Sequence, residues 1–212
     1  AGGGSFTFNG TSNYVSSDDK ANLQLGAGEF TLAAWIKPGE GPAGTSYGYV
    51  GGGQAPGSSY KTNVDRIDFG NDTATAVAKG PLAVATSDHG TSSSNSYGYF
   101  GGGYGPNKST VQRIDYSSDT STMSPKGPLS SARYKVVGAG NNNYGYQGSG
   151  APLGGPTPAV STIDRIDYSN DTATAAVKGP LSAGRAYMGG ATGNQSYGYF
   201  GGGDTWPSNK VT

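Results

Sequence analysis

Cysteine is absent from the 212 residues. A disulfide framework, thiolate metal ligands and a cysteine nucleophile are therefore excluded. Charge is scarce too: 13% of residues are Asp, Glu, Lys or Arg, and 14 acids balance 14 bases. With no basic excess and no run of Lys or Arg, nothing neutralises a phosphate backbone, which argues against a nucleic-acid partner. No apolar run approaches a membrane span, so membrane insertion is not expected, and no secretory signal is visible. A start at Ala1 rather than Met fits a processed chain or a fragment. Glutamate is nearly missing, with Glu29 and Glu40 against twelve aspartates. Asp belongs in turns and Glu in helices, so the acids favour β structure. Convincing helical spacing of apolar residues is also missing.

Glycine and tyrosine are abundant instead, at 39 and 15 residues, and they recur together. "YGYVGGG" stands at 47–53, "YGYFGGG" at 97–103 and 197–203, and "YGYQGSG" at 144–150. The opening tyrosines, Tyr47, Tyr97, Tyr144 and Tyr197, set a period of about 50 residues, in the range of propeller blades. A second block follows the first three: "VDRIDFGNDTATAVAKGPL" at 64–82, "VQRIDYSSDTSTMSPKGPL" at 111–129 and "IDRIDYSNDTATAAVKGPL" at 163–181. From the closing leucine to the next tyrosine is 15, 15 and 16 residues, whereas tyrosine to second block is 17, 14 and 19. A rigid frame thus carries one variable loop per unit.

Each unit reads as four short strands, exemplified by 132–140, the "SYGYFGGG" stretch, 110–116 and 120–125. The last follows a turn through Ser117–Asp119. Val, Ile, Tyr and Thr fill the strands, and Asn, Asp, Ser, Gly and Pro fill the joints. In "YGYF" the tyrosines share one face and the glycine leaves room on the other for the next unit. The following glycines let the chain leave the strand with positive φ. A phosphate cradle would need a helix start after them, and none is present.

These units resemble kelch repeats: an aromatic strand ending in paired glycines, a variable loop, then a strand closing on Phe69, Tyr116 or Tyr168. "GPL" and the following Arg133 and Arg185 fit as well. Thr75, Thr122 and Thr174 stand where the family usually has Trp, and Thr86 where an Arg is usual. The resemblance implies an all-β, kelch-like β-propeller of four-stranded antiparallel blades, about four if the chain is complete. The repeats run 47–96, 97–143 and 144–196, with a partial one at 197–212. Residues 1–46 lie outside them, and 5–37 resemble the start of a laminin-G or concanavalin-like lectin domain. A second reading uses Leu32, which lies 15 residues before Tyr47. On it, "TLAAWIKPG" is the innermost strand of the first blade, and "SFTFNG" at 5–10 closes the last blade. The rival is a piece of a longer propeller or fibre, finished by neighbouring copies.

Arg66 with Asp68, Arg113 with Asp115 and Arg165 with Asp167 sit two apart on one strand face. They read as a structural ion-pair ladder, within a blade or across to the next. The turns at Asn71–Asp72 and Asn170–Asp171 offer oxygens to Ca²⁺, but Asx-turn hydrogen bonding explains them with less. His89, the single histidine, has no partners for a metal set and reads as a solvated loop residue. Neither a metal nor a cofactor is expected. Paired-carboxylate glycosidase chemistry has twelve Asp to draw on, but most occupy repeated turn or strand positions, and a single active site usually breaks the repeat. The loops at 54–63, 104–110, 151–162 and 204–210 do break it. Their Tyr60, Tyr104, Asn107, Trp206 and Asn209 are the candidate ligand-binding residues, aromatic faces beside amide groups that suit sugar rings or a protein surface; the other reading is that the rings only pin the loops down.

The pattern resembles modules of bacteriophage tail-fibre and virion surface proteins, cyanophage ones included, and extracellular adhesins. It implies a non-catalytic structural or adhesion module at a virion surface or cell exterior. The partners implied are a host-surface glycan or other virion or filament subunits, with a homo-oligomer compatible. A polysaccharide-degrading phage-tail enzyme and a secreted bacterial lectin are the alternatives.

Overall fold

The computed structural model describes residues 47–57, 59–105, 109–152 and 158–205, all within one compact unit, Tyr47–Thr212. Segment 1–46, with the lectin-like and strand-supplying readings placed on it, lies outside the described residues. So do Asn107, Trp206 and Asn209.

The described chain is all-β, with antiparallel sheets and single 3-10 turns at Tyr116–Ser118 and Tyr168–Asn170. Sheet II orders Gly90–Ser93, Tyr97–Gly101, Val111–Asp115 and Ser124–Lys126. Sheet III repeats it with Val137–Gly140, Tyr144–Gly148, Ile163–Asp167 and Ala176–Lys178. Sheet I shows three strands, Tyr47–Gly51, Val64–Asp68 and Val77–Ala78, and sheet IV two, Ala186–Gly193 and Gly198–Asp204. The register repeats as well: Tyr49, Tyr99 and Tyr146 lie opposite Arg66, Arg113 and Arg165. The last strand of sheet II begins at Ser124, not at the expected 120, because residues 119–123 turn to meet sheet I.

The core lies between sheets. Alternate residues of a strand face opposite neighbours, so Phe100 joins Val64, Leu82, Ile114 and Met123 against sheet I. Tyr99 joins Val111, Leu129, Ile166 and Ala175 against sheet III. The glycine of the tyrosine strand serves this packing in two ways: at Gly145 an added Cβ would run into Ser92 of sheet II, the neighbour leaning in as expected. At Gly98 an added Cβ would lie 2.9 Å from the Tyr116 hydroxyl. The ring it admits belongs to its own sheet and reaches across to stack on Tyr49, centroids 5.2 Å apart. Tyr168 stacks on Tyr99 in the same way, at 4.5 Å.

One carboxylate organises each joint. Asp119, from the turn of sheet II, receives Arg66 Nη1 at 2.7 Å, Lys79 Nζ at 3.1 Å and the Tyr49 hydroxyl at 3.0 Å, all from sheet I. Asp171 of sheet III receives Arg113 at 2.7 Å, Lys126 at 3.3 Å and Tyr99 at 3.0 Å from sheet II. Backbone bonds complete the seam: Gly80 N–H donates to the Asp119 carbonyl at 2.9 Å, and Met123 N–H to the Pro81 carbonyl at 2.9 Å. Gly127 and Ala175 repeat both bonds at 2.8 Å with Asp171 and Pro128.

These contacts correct two expectations. Arg66 and Arg113 do pair, across to the next sheet as one of the two readings had it, but with that sheet's turn aspartate and not with Asp68 or Asp115. Asp68, Asp115 and Asp167 cap their own turns, accepting the N–H of Gly70, Ser117 and Ser169 at 2.8, 2.9 and 3.0 Å. Asp119 and Asp171, assigned above to turn geometry or a cation, are the inter-sheet acceptors. Arg165 lies over the Tyr144 ring at 4.3 Å and has no carboxylate partner among the described residues.

Arg133 and Asp164 form a buried pair at 2.9 Å, with side chains 1% and 0% exposed. Asp164 also accepts the Ser130 N–H at 3.0 Å, and Arg133 donates to the Gln147 carbonyl at 2.9 Å. Removing one member leaves an uncompensated buried charge, so Asp164→Ala is expected to cost about 3–5 kcal/mol in urea unfolding. The double replacement Arg133→Met with Asp164→Leu should cost clearly less. Equal losses would show that the charge is not desolvated.

Candidate functional site

Each variable loop leaves its sheet through left-handed backbone. In sheet II, Gly102 and Gly103 have φ of 72° and 107°. A Cβ at Gly103 would also run into the Thr86 hydroxyl and the Ser87 carbonyl. This turn aims an N–H at the segment leading into the next sheet. Gly53 donates to the Thr86 carbonyl at 2.9 Å, Gly103 to that of Arg133 at 2.9 Å and Gly150 to that of Arg185 at 3.0 Å. Short antiparallel contacts then tie each loop to the lead-in of its own sheet: Ser87 with Tyr104, Arg133–Tyr134 with Ala151–Pro152, and Ala186 with Asp204. Loops and lead-ins together make one pinned edge.

Aromatic contacts run along that edge from sheet to sheet. The Tyr60 and Tyr104 ring centroids are 5.7 Å apart, and Tyr134 meets Tyr104 edge-on at 5.1 Å. Lys135 Nζ lies 4.6 Å from the Tyr134 centroid and 3.1 Å from that of Tyr187. Tyr104 and Tyr187 are 38% and 56% exposed, whereas Tyr60, Tyr134 and Lys135 are half-buried. At the other end, exposed Asp88 accepts the Ser87 hydroxyl at 3.0 Å. Burial, then the neighbouring Tyr104 phenol and Asp88 carboxylate, raise the Tyr60 phenol above its usual range.

Backbone strain marks the same edge. Asp88, Lys135 and Tyr187 have φ of 54°, 58° and 54°, each six residues after Leu82, Leu129 or Leu181. Left-handed backbone costs a residue with a Cβ roughly 1–2 kcal/mol. Three lead-ins thus place a charged or aromatic side chain where glycine would be unstrained, a pattern associated with functional positions.

Of the sequence candidates, Tyr60 and Tyr104 come together here. Tyr134, Lys135, Tyr187 and Asp88 were not among them. A signal existed: at a fixed offset from an invariant leucine, the residue changes from Asp to Lys to Tyr. His89 departs from the solvated reading. Its ring packs on Phe100 with centroids 5.3 Å apart, its Nδ1 meets no hydrogen-bond partner, and burial pushes its pKa down to about 4. It is a neutral packing residue. Among the described residues no group of three His, Asp or Glu is placed to hold a metal ion. The edge offers ring faces, a carboxylate, an ammonium and backbone carbonyls, a set suited to holding hydroxylated rings.

No protein-family model matches this chain, and no curated protein does. Among solved structures, YjhT superposes with a TM-score of 0.57 at 16% sequence identity. The match covers 72% of this chain and 48% of that one, so the chain spans about half the length of this neighbour. The likeness is one of fold.

Two outcomes test this description of the edge. Tyr187→Gly is expected to be more stable than Tyr187→Ala by roughly 0.5–1 kcal/mol in urea unfolding, because only glycine relieves the left-handed backbone. A more stable alanine variant would contradict the strain. For His89, the folded pKa of about 4 lies below the ordinary 6.5, so the unfolded state binds the proton first as pH falls. Its contribution is fully present above 6.5 and is lost on descending toward 4, with a slope of at most about 1.4 kcal/mol per pH unit. His89→Phe should remove that slope from stability measured across this window.

Proposed function

We propose that the chain is a non-catalytic kelch-like propeller module of a virion or extracellular surface assembly that binds carbohydrate through its tyrosine edge. The propeller reading is supported by four successive antiparallel sheets in sequence order, I to III joined by one repeated seam. The first strand of sheet III touches those of sheets II and IV, as strands around an axis do. The binding reading rests on one observation: Tyr60, Tyr104, Tyr134, Lys135 and Tyr187 make a continuous run across four units on backbone that is pinned at every step. A rigid aromatic row loses little entropy on binding and presents apolar faces beside hydrogen-bonding groups, which is what a sugar ring offers in complement. Surface placement fits a polar, cysteine-free, turn-rich chain.

The test is a glycan array probed with the 212-residue chain, followed by titration of the strongest binder. Tyr104→Ala is expected to weaken that binding at least tenfold, about 1.4 kcal/mol, because Tyr104 touches both neighbouring tyrosines. Asp72→Asn, on a turn outside the edge, should leave it unchanged. A blank array, or equal effects of the two substitutions, would reject the reading. Release of reducing ends from a bound polysaccharide would replace it with the enzymatic one.

A further inference from the structure

The two joints share one chemistry and one polarity, and sheet III carries the donor half of a third. Tyr146, Arg165, Lys178, Gly179 and Pro180 stand where Tyr49, Arg66, Lys79, Gly80 and Pro81 stand in sheet I. Arg165 already has the posture of its equivalents: 4.3 Å over Tyr144, against 3.8 Å for Arg66 over Tyr47 and 4.1 Å for Arg113 over Tyr97. What differs is the cover. A Cβ on Gly80 or Gly127 would collide with the carbonyl of Ser121 or Ala173, whereas at Gly179 nothing lies within 4 Å. Lys178 is exposed where Lys79 and Lys126 are half-buried.

Beside this face runs a strand edge with no partner among the described residues. In sheets I to III the tyrosine strand pairs on its outer side with the block beginning Val64, Val111 or Ile163. In sheet IV, Gly198–Asp204 pairs only with Ala186–Gly193 among the described residues. A strand edge and two cations, left without a strand partner or a carboxylate among the described residues, make a site of specific shape. It takes an extended segment that hydrogen-bonds to the edge, then turns and delivers an aspartate to Arg165 and Lys178. The internal joints show such a segment in place twice.

We propose that this face receives, from another polypeptide, a strand–turn–strand segment of the repeat's own kind, its turn aspartate seated on Arg165 and Lys178. The pairing is directional, because donors and acceptor lie on opposite faces of every unit. The charges match too, a lone carboxylate meeting a guanidinium and an ammonium.

The probe is a labelled synthetic peptide of residues 111–126, the segment that fills the corresponding place in sheet II, titrated into the 212-residue chain by fluorescence polarisation. The peptide is expected to bind saturably and to slow amide exchange across Gly198–Asp204. A peptide carrying Asp119→Asn should bind at least tenfold more weakly to the unaltered chain, a comparison that no folding defect can mimic. Arg165→Gln in the chain should give a similar loss, and Lys178→Gln a smaller one. Glycan binding at the tyrosine edge is independent of all these outcomes. No binding would mean that the same chain covers the face or that nothing does, and either overturns the proposal. So would binding that ignores both Asp119→Asn and Arg165→Gln.

Discussion

A single buried aspartate at each of the joints I–II and II–III, reached by three side chains of the preceding sheet, is the contact on which the array depends. Burial works against the charge of Asp119, yet Lys79, Tyr49 and Arg66 hold its carboxyl below the usual range. The phenol of Tyr49 responds in the opposite sense, pushed up to about 12 by burial and by the Asp119 it donates to. A carboxylate at an apolar seam is costly unless its lone pairs are filled, and three donors fill them. The stacked rings beside it, Tyr49 on Tyr116 and Tyr99 on Tyr168, keep water from the pairs and fix the approach of the sheets. The glycines at 80 and 127 complete the arrangement, since any side chain there would hold the sheets apart.

Much of this was legible in the sequence, because the period carries it. The equal blocks gave the strand order, and the paired glycines gave the left-handed exits. One variable loop per unit pointed to the edge where Tyr60 and Tyr104 meet. The roles of the aspartates were legible only in part. Spacing of two on a strand says that Arg113 and Asp115 share a face, but nothing about which carboxylate the arginine reaches. Asp115 is turned back by the Ser117 N–H and hydroxyl, while the guanidinium finds Asp171, 58 residues on. Local hydrogen bonds claim the near acid, so the distant one is left for the seam. His89 misled for a related reason: polar residues surround it in sequence, but Phe100 faces it in space.

The tyrosine edge shows where local reading stops. Tyr134 and Lys135 lie inside a stretch that reads as plain strand, and a lysine gives no sign that its backbone is left-handed. The strain becomes visible only when three units agree on φ while disagreeing on residue. That combination separates scaffold from surface. Where geometry and residue are both constant, as at Gly53, Gly103, Gly150 and Gly203, the residue serves the fold. Where geometry is constant and the residue varies, the fold carries a side chain for some other use.

Directionality has a consequence for assembly. A seam with donors on one face and an acceptor on the other cannot satisfy itself by two-fold symmetry, because like faces would meet like faces. Each unit can only pass the pattern forward, from Arg66 to Asp119 and from Arg113 to Asp171. Sheet I therefore presents the acidic turn at Asp72, with Phe69 59% exposed beside it, and sheet III presents the basic face around Arg165. These two faces are unlike and complementary in charge, so the pairing that joins sheets I to III disfavours either face meeting its own kind. On the proposed pairing, whatever meets the basic face brings an acid on a turn. On that pairing, specificity at this face is inherited from the joints inside the array.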